Sequence, residues 1–449
     1  MARRNRSMGA PTAMSRPVRP DLVDAAVLEI AGLVSEQDWL ADRALERVLR
    51  REKRLYARER RSVAEAVYGI LRSQGQLAWL AGEAAGRGRL DPASVYALWL
   101  VRSAAVSPEV ASRRLGVAAA LLARAVDGAD ARISAIADPV ERLAIASSLP
   151  RWIAERFVTE LGEREAAALA AAMNARAPLT VRANTLRTDR DALRDQLAEE
   201  GVSAIATRYS PWGLVLDGHA NAFALRAFQE GLFEIQDEGS QIIALALAAR
   251  PGQKVVDACA GAGGKSLAIA AEMHGKGSLV ALDVEAGRLD EARRRARRAG
   301  VHNLRTRCIP GDAGGDAAIA DLAGASDRVL VDAPCAGLGT LRRKPDARWR
   351  LRPSDPARFG SLQRELAARF AALVKPGGAF VYATCSIGAE ENREVAEFIE
   401  HELRLVPRPL ERALGATRAR ELGATGHSLQ MWPHVHGTDG FFVAAFERP

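Results

Sequence analysis

From about residue 231 onward, apolar runs of strand length alternate with helical segments, and this alternation constrains the fold more than any other feature. Strands are expected near Val255–Asp257, Ser278–Asp283, Leu304–Ile309, Arg328–Asp332, Ala379–Thr384 and Phe441–Phe446. Repeated β-then-α units of this length imply a parallel, doubly wound α/β sheet. In such sheets ligands collect outside the carboxyl ends of the strands. The chemically suggestive residues of this half fall mostly at those ends.

The earlier half has a different texture. Residues 1–20 carry five arginines and no acid, without an apolar stretch, and read as a disordered basic arm. Residues 21–150 are rich in Ala, Leu and Arg, with apolar residues such as Val23, Val27, Ile30 and Val34 at helical spacing, so an all-helical domain is expected. Pro150-Arg151-Trp152 marks a boundary. Residues 151–230 mix helix (166–173, 191–200) with short strands (180–182, 213–216), which predicts a small α+β linker domain before a last domain over 231–449.

Composition narrows the partners. Lys+Arg number 63 against 55 Asp+Glu, a net charge of +8 that favours an anionic partner modestly. No apolar run reaches membrane-spanning length, so no membrane association is expected. The four cysteines, Cys259, Cys308, Cys335 and Cys385, are too few for a disulfide scaffold and lack zinc spacing. Free thiols in a reducing cytoplasm, and no metal, are expected.

The first strand of the α/β region runs into Asp257-Ala258-Cys259-Ala260-Gly261-Ala262-Gly263-Gly264-Lys265-Ser266 and then a helix. Such glycines let the backbone turn sharply and approach a ligand. Asp283, at the end of the second strand, suits two ribose hydroxyls. Gly311-Asp312-Ala313 follows the third strand, where an acid beside a small residue suits an adenine amino group. A nicotinamide dinucleotide would want glycine where Ser266 stands, and the spacing is not that of a Walker phosphate loop. S-adenosylmethionine is the expected cofactor.

The fourth strand ends in Asp332-Ala333-Pro334-Cys335-Ala336-Gly337 and the fifth in Thr384-Cys385-Ser386. These two strands are expected to be neighbours, so their thiols should meet above the methyl donor. A pyrimidine carbon 5 is a poor nucleophile, and a thiolate added at carbon 6 activates it. Asp332 is placed to serve the ring nitrogen 3 side. Strand-end position does not choose between Cys335 and Cys385 as nucleophile. A lone cysteine is more often a small core residue; that reading is applied to Cys308, and Cys259 is expected to pack the loop against the cofactor.

At these residues the chain resembles the RsmB/Fmu/Sun (NOL/NOP/Sun-type) family of RNA cytosine-5 methyltransferases. The pieces are Asp257–Lys265, Asp283, Asp312, Asp332-Ala333-Pro334-Cys335, Thr384-Cys385-Ser386 and Asp439-Gly440-Phe441-Phe442, with Val181-Arg182-Ala183-Asn184-Thr185-Leu186 and Gln236-Asp237-x-x-Ser240-Gln241 upstream. The resemblance implies a Rossmann-like methyltransferase domain behind a NusB-like RNA-binding helical domain. It implies a cofactor loop at Cys259, Ala260, Gly261, Ala262, Gly263, Gly264 and Lys265, completed by Asp283, Asp312 and Asp332. It implies Cys385 as nucleophile, Cys335 for product release, and RNA, most of all 16S ribosomal RNA, as substrate of a monomer. Two departures stand out: Ala262 where the family has proline, and Ala336 where it has Ser or Thr.

Arg342, Arg343, Lys344, Arg348, Arg350 and Arg352, with Trp349 among them, are expected to touch RNA through phosphate contact and stacking. The helical run Arg293, Arg294, Arg295, Arg297 and Arg298 reads as a solvated face. Competing readings are a transfer-RNA cytosine-5 methyltransferase, an amino-directed methyltransferase, which would want a different fourth-strand motif, and a non-catalytic RNA-binding protein using the helical domain.

Overall fold

The computed structural model describes residues 17–85, 91–217, 221–312 and 314–449. Arg3, Arg4 and Arg6 of the basic arm, and Ala313, lie outside the described residues. The chain divides into two compact units, Met1–Arg151 and Trp152–Pro449.

The first unit is all-helical among its described residues and fits the expected NusB-like domain. Pro20, Pro92, Pro108 and Pro139 each open a helix, where a fixed φ and a missing N–H cost nothing. Asp91, Ser107 and Asp138 precede three of these prolines and accept backbone N–H bonds as caps. Val23, Val27 and Ile30 pack in one core with Val48, Val63 and Val67. Inside that core the Asp24 carboxylate is satisfied by Tyr96 Oη at 2.8 Å and Arg114 Nε at 2.9 Å.

The second unit holds two sheets. The smaller contains β1 (Leu179–Ala183), β2 (Ala204–Ala206), β3 (Gly213–Leu216) and β4 (Phe233–Ile235), antiparallel in the order β2-β3-β1-β4. Leu193 and Leu197 of helix Arg190–Glu199 join Val181, Leu214 and Phe233 in its core. This sheet therefore runs on to Ile235, past residue 230.

The larger sheet contains β5 (Lys254–Asp257), β6 (Ser278–Asp283), β7 (Leu304–Cys308), β8 (Ser326–Asp332), β9 (Val374–Thr384), β10 (Val406–Pro407), β11 (Ser428–Met431) and β12 (Phe441–Glu447). The order is β10-β12-β9-β8-β5-β6-β7, with β11 paired to β12. Strands β5 to β9 pair in parallel, while β12 runs antiparallel to β9. Helices cover both faces, so the central strands are apolar on both sides: Val329–Val331 and Phe380–Ala383 are all buried. β9 begins five residues before its apolar run, at Val374, because the polar Lys375-Pro376-Gly377-Gly378 stretch joins the ladder through a register shift. The strand order turns back between β5 and β8, which places the crevice beside the β5, β8 and β9 ends. Among the described residues no helix is long and apolar enough to cross a membrane.

Candidate active site

The turn after β5 forms as its glycines predict. Gly261 and Gly263 take φ of +54° and +79°, where other L residues are strained. A Cβ on Gly261 would meet nothing within 4 Å, so the turn has open space before it, while one on Gly263 would stand 2.9 Å from Ala292 Cβ. Asp283 binds the turn: its Oδ2 accepts the Gly261 N–H at 2.8 Å, and its Oδ1 accepts the Glu285 N–H at 2.8 Å. Each oxygen retains acceptor capacity. Asp312 stands exposed just beyond β7, its Oδ1 accepting the Gly314 N–H at 3.0 Å. The glycine turn, Asp283 and Asp312 thus follow one another along the carboxyl ends of β5, β6 and β7.

Asp257 and Lys265 complete this side. Asp257 is buried; its Oδ2 accepts from Ser266 Oγ at 2.6 Å, and its Oδ1 has no partner. Burial pushes the carboxyl up to about 7, against the Ser266 bond. An orphaned buried acceptor, open space at Gly261 and two strand-end carboxylates fit the amino, ribose and adenine groups of S-adenosylmethionine. One consequence is testable without cofactor. A carboxyl raised in the folded state keeps its proton there while the unfolded chain releases it, so stability falls as pH rises from about 4 to about 7. Asp257→Asn is spared that loss, and its Tm advantage over the parent protein is expected to grow across this interval and then level off. An advantage independent of pH would contradict it.

Lys265 Nζ lies 2.7 Å from Asp332 Oδ2 and 5.6 Å from the centroid of the Phe441 ring. Burial alone would lower this ammonium, but Asp332, with Cys385 adding to it, raises it instead. Asp257, Lys265, Asp332, Arg343, Asp439 and Phe441 are among the residues lining a cavity of about 370 Å³.

The two thiols meet. Cys335 Sγ and Cys385 Sγ are 3.2 Å apart. β8 and β9 are adjacent and parallel, and the Ala333 N–H extends their ladder to Ala383 O at 2.9 Å. The loop after Cys335 then crosses the β9 end by direct backbone contact. Gly339 N–H donates to Cys385 O at 3.0 Å and Gly440 N–H to Gly339 O at 2.8 Å. A Cβ at Gly339 would sit 2.0 Å from Gly440 O, so only glycine fits. Hydrogen bonding to Cys385, then burial, pushes the Cys335 thiol well up, and either sulfur can be the donor in the pair. Burial does the same to Cys259, whose side chain packs against the sheet core.

Several residues stand elsewhere than the sequence predicts. Cys308 is not a core residue: it ends β7 exposed, its Sγ 3.5 Å from Val284 O. The Arg293–Arg298 run is only partly a solvated face. Arg293, Arg294 and Arg297 are exposed, but Arg295 Nη1 donates to Ala262 O at 2.9 Å and Arg295 Nη2 pairs with Glu234 at 2.9 Å. Arg298 also pairs with Glu234. Arg295 thereby anchors the glycine turn at Ala262, where the family's proline is missing.

The basic segment after Cys335 is likewise divided. Arg342 Nε is 2.5 Å from Asp439 Oδ1, and Arg343 bridges Asp439 and Asp237. Arg348 is buried, its Nη1 donating to Asn174 Oδ1 at 2.6 Å. These three fold the segment; Lys344, Trp349 and Arg352 are exposed. Sequence reasoning gave no role to Glu391, Asn392 and Gln363, buried around the thiols. Asp237 and Asp439 entered it only within motif segments.

Comparison with known proteins agrees with this geometry. A family model described as 16S rRNA methyltransferase RsmB/F matches residues 244–447, and the RsmF/B-like ferredoxin-like domain matches 149–222. A probable ribosomal RNA small subunit methyltransferase B of Bacillus subtilis is 35% identical over 316 residues, 70% of this chain and 69% of its own length. A protein of the same description from Synechocystis is 31% identical over 438 residues, 92% of this chain and 97% of its own. The crystal structure of a methyltransferase homolog protein from Pyrococcus horikoshii superposes with a TM-score of 0.59 at 26% identity, covering 70% of this chain and all of that one. Family and fold agree, and the chain belongs to the RsmB/F family of 16S rRNA methyltransferases, a family of S-adenosylmethionine-dependent RNA methyltransferases.

Proposed function

We propose that this protein methylates carbon 5 of a cytosine in 16S ribosomal RNA through a covalent adduct with Cys385. The observation that carries the reading is the thiol pair, 3.2 Å apart at the ends of β8 and β9, beside the Lys265–Asp332 ion pair. An amino-directed methyltransferase has no use for two apposed thiols.

The Cys385 thiolate adds to carbon 6, forming an S–C6 bond and moving the C5=C6 electrons onto the N3/O2 side of the ring. The Lys265–Asp332 pair supports that side; Lys265 keeps N–H groups beyond the one given to Asp332. S-adenosylmethionine, when bound, supplies an electrophilic methyl group to carbon 5. Loss of the carbon 5 proton to a base then re-forms C5=C6 as the S–C6 bond breaks, returning the electron pair to Cys385. Cys335, next to the leaving sulfur, assists this release. A base within a helical RNA segment must first be flipped out. Asp283, Asp312 and the 259–265 turn hold the cofactor, and the helical unit adds grip on RNA.

The test is incubation with small-subunit ribosomal RNA, or the small ribosomal particle, and methyl-labelled S-adenosylmethionine. Nucleoside analysis is expected to place the label in 5-methylcytidine. Label confined to other nucleosides, or appearing only when transfer RNA replaces the ribosomal RNA, would reject the assignment.

A further inference from the structure

The geometry points to Glu391 as a positioning residue: its buried carboxylate ties the Cys335 loop to the Cys385 loop and sets the approach of the two thiols. The inference deepens the proposed function and rests on it.

Glu391 closes the short turn Ala389–Glu391 and is completely buried. Its Oε1 accepts the N–H of Ala336, the residue after Cys335, at 2.7 Å. Its Oε2 accepts from Ser386 Oγ, the residue after Cys385. Gln363 Nε2 reaches the same carboxylate at 3.3 Å and donates to Pro334 O, the residue before Cys335, at 2.9 Å. The next residue, Asn392, continues the pattern. Its Oδ1 accepts from Thr384 Oγ1 at 2.6 Å, and its Nδ2 donates to Ser386 O at 3.1 Å. Both neighbours of each thiol-bearing residue are therefore held by one buried network.

A buried carboxylate costs free energy unless it is fully hydrogen-bonded. Simple filling of this core would be served by an apolar side chain. The side-chain bonds of Glu391 end instead on residues flanking a thiol, or on the Gln363 amide that holds Pro334. Glu391 acts through Ala336 and Ser386 rather than on the reacting atoms. The network also gives the Ala336 position an anchor through its backbone N–H, where the family's hydroxyl is absent.

The test uses the full chain with Glu391→Ala and Glu391→Gln. Glutamine keeps an acceptor for the Ala336 N–H and offers an amide donor to Ser386 Oγ. One readout is the rate at which diamide joins Cys335 and Cys385, followed by peptide mass; two thiols become a disulfide and diamide becomes the hydrazine. It needs neither RNA nor cofactor. The other readout is kcat and KM for methyl transfer. Glu391→Ala is expected to slow disulfide formation and lower kcat by about tenfold or more, with KM for RNA and cofactor unchanged, since small misplacements of reacting groups cost that much. Glu391→Gln is expected to stay within about threefold of the parent on both. An alanine variant that oxidises or turns over like the parent overturns the proposal, as does a glutamine variant as impaired as alanine. If the parent itself transfers no methyl to cytosine while the disulfide rates keep the expected order, the function fails and the positioning role stands. Should Glu391→Ala not fold, Ser386→Ala cuts one arm of the link; an unchanged disulfide rate there overturns the proposal.

Discussion

Cys335→Ala protein, mixed with its RNA and S-adenosylmethionine, is expected to accumulate as a protein–RNA adduct that survives denaturing electrophoresis. The Cys335 Sγ is 3.2 Å from Cys385 Sγ, within reach of the sulfur that has to leave carbon 6. Without it, addition and methyl transfer proceed while release slows, and turnover falls by about 10²–10⁴, the range for loss of one proton-transfer group. Cys385→Ala is expected to form no adduct and to lose methylation to background, because the S–C6 bond cannot form. The double variant should behave as Cys385→Ala. The reverse pattern, with the adduct trapped by Cys385→Ala, would exchange the two roles. The thiol pair itself is symmetric in distance; the choice of Cys385 draws on the Thr-Cys-Ser resemblance.

The largest stability effect is expected at Asp439. Its carboxylate pairs with Arg342 at 2.5 Å and with Arg343, while Arg343 Nη2 also reaches Asp237 at 2.8 Å and the Asp439 N–H donates to Asp237 at 3.2 Å. Asp439 and Arg342 are 1% and 4% exposed, so neither charge can turn to water. Burial and the neighbouring Asp439 carboxylate push Asp237 up to about 6, and without Asp439 the single Asp237 carboxylate is left to face both guanidiniums. Asp439→Ala leaves the two guanidiniums short of negative charge and is expected to cost about 3–5 kcal/mol in denaturant unfolding. A cost under about 1 kcal/mol would show that the cluster is dispensable. The same cluster takes Arg342 and Arg343 into ion pairs beside the Gly339–Gly440 crossing, while Lys344, Trp349 and Arg352 of the same segment stay exposed.

How much of this was legible from sequence follows from the range of each interaction. The six expected strands of the α/β half depend on local apolar periodicity and lie within a few residues of expectation except where β9 recruits a polar stretch, whereas the short β10 and β11 gave no such signal. The glycine turn was legible because positive φ is a property of single residues. Even the meeting of Cys335 and Cys385 could be anticipated, since in a doubly wound sheet the strands β8 and β9 lie side by side. Charge pattern was a poorer guide. A run of arginines looks solvated or RNA-directed whether its partners are water or, as with Arg295 and Arg342, acids 61 and 97 positions away.

What the amino-acid order determined by itself was the doubly wound sheet, the glycine turn and the strand-end thiols, because each rests on periodicity or on the conformational preference of one residue. The tertiary structure alone decided which charges are free, why Gly339 admits no side chain, and that Glu391, 55 residues from Ala336, locks the two thiol loops together. Those outcomes depend on burial and on hydrogen bonds between distant segments, and neither leaves a local trace.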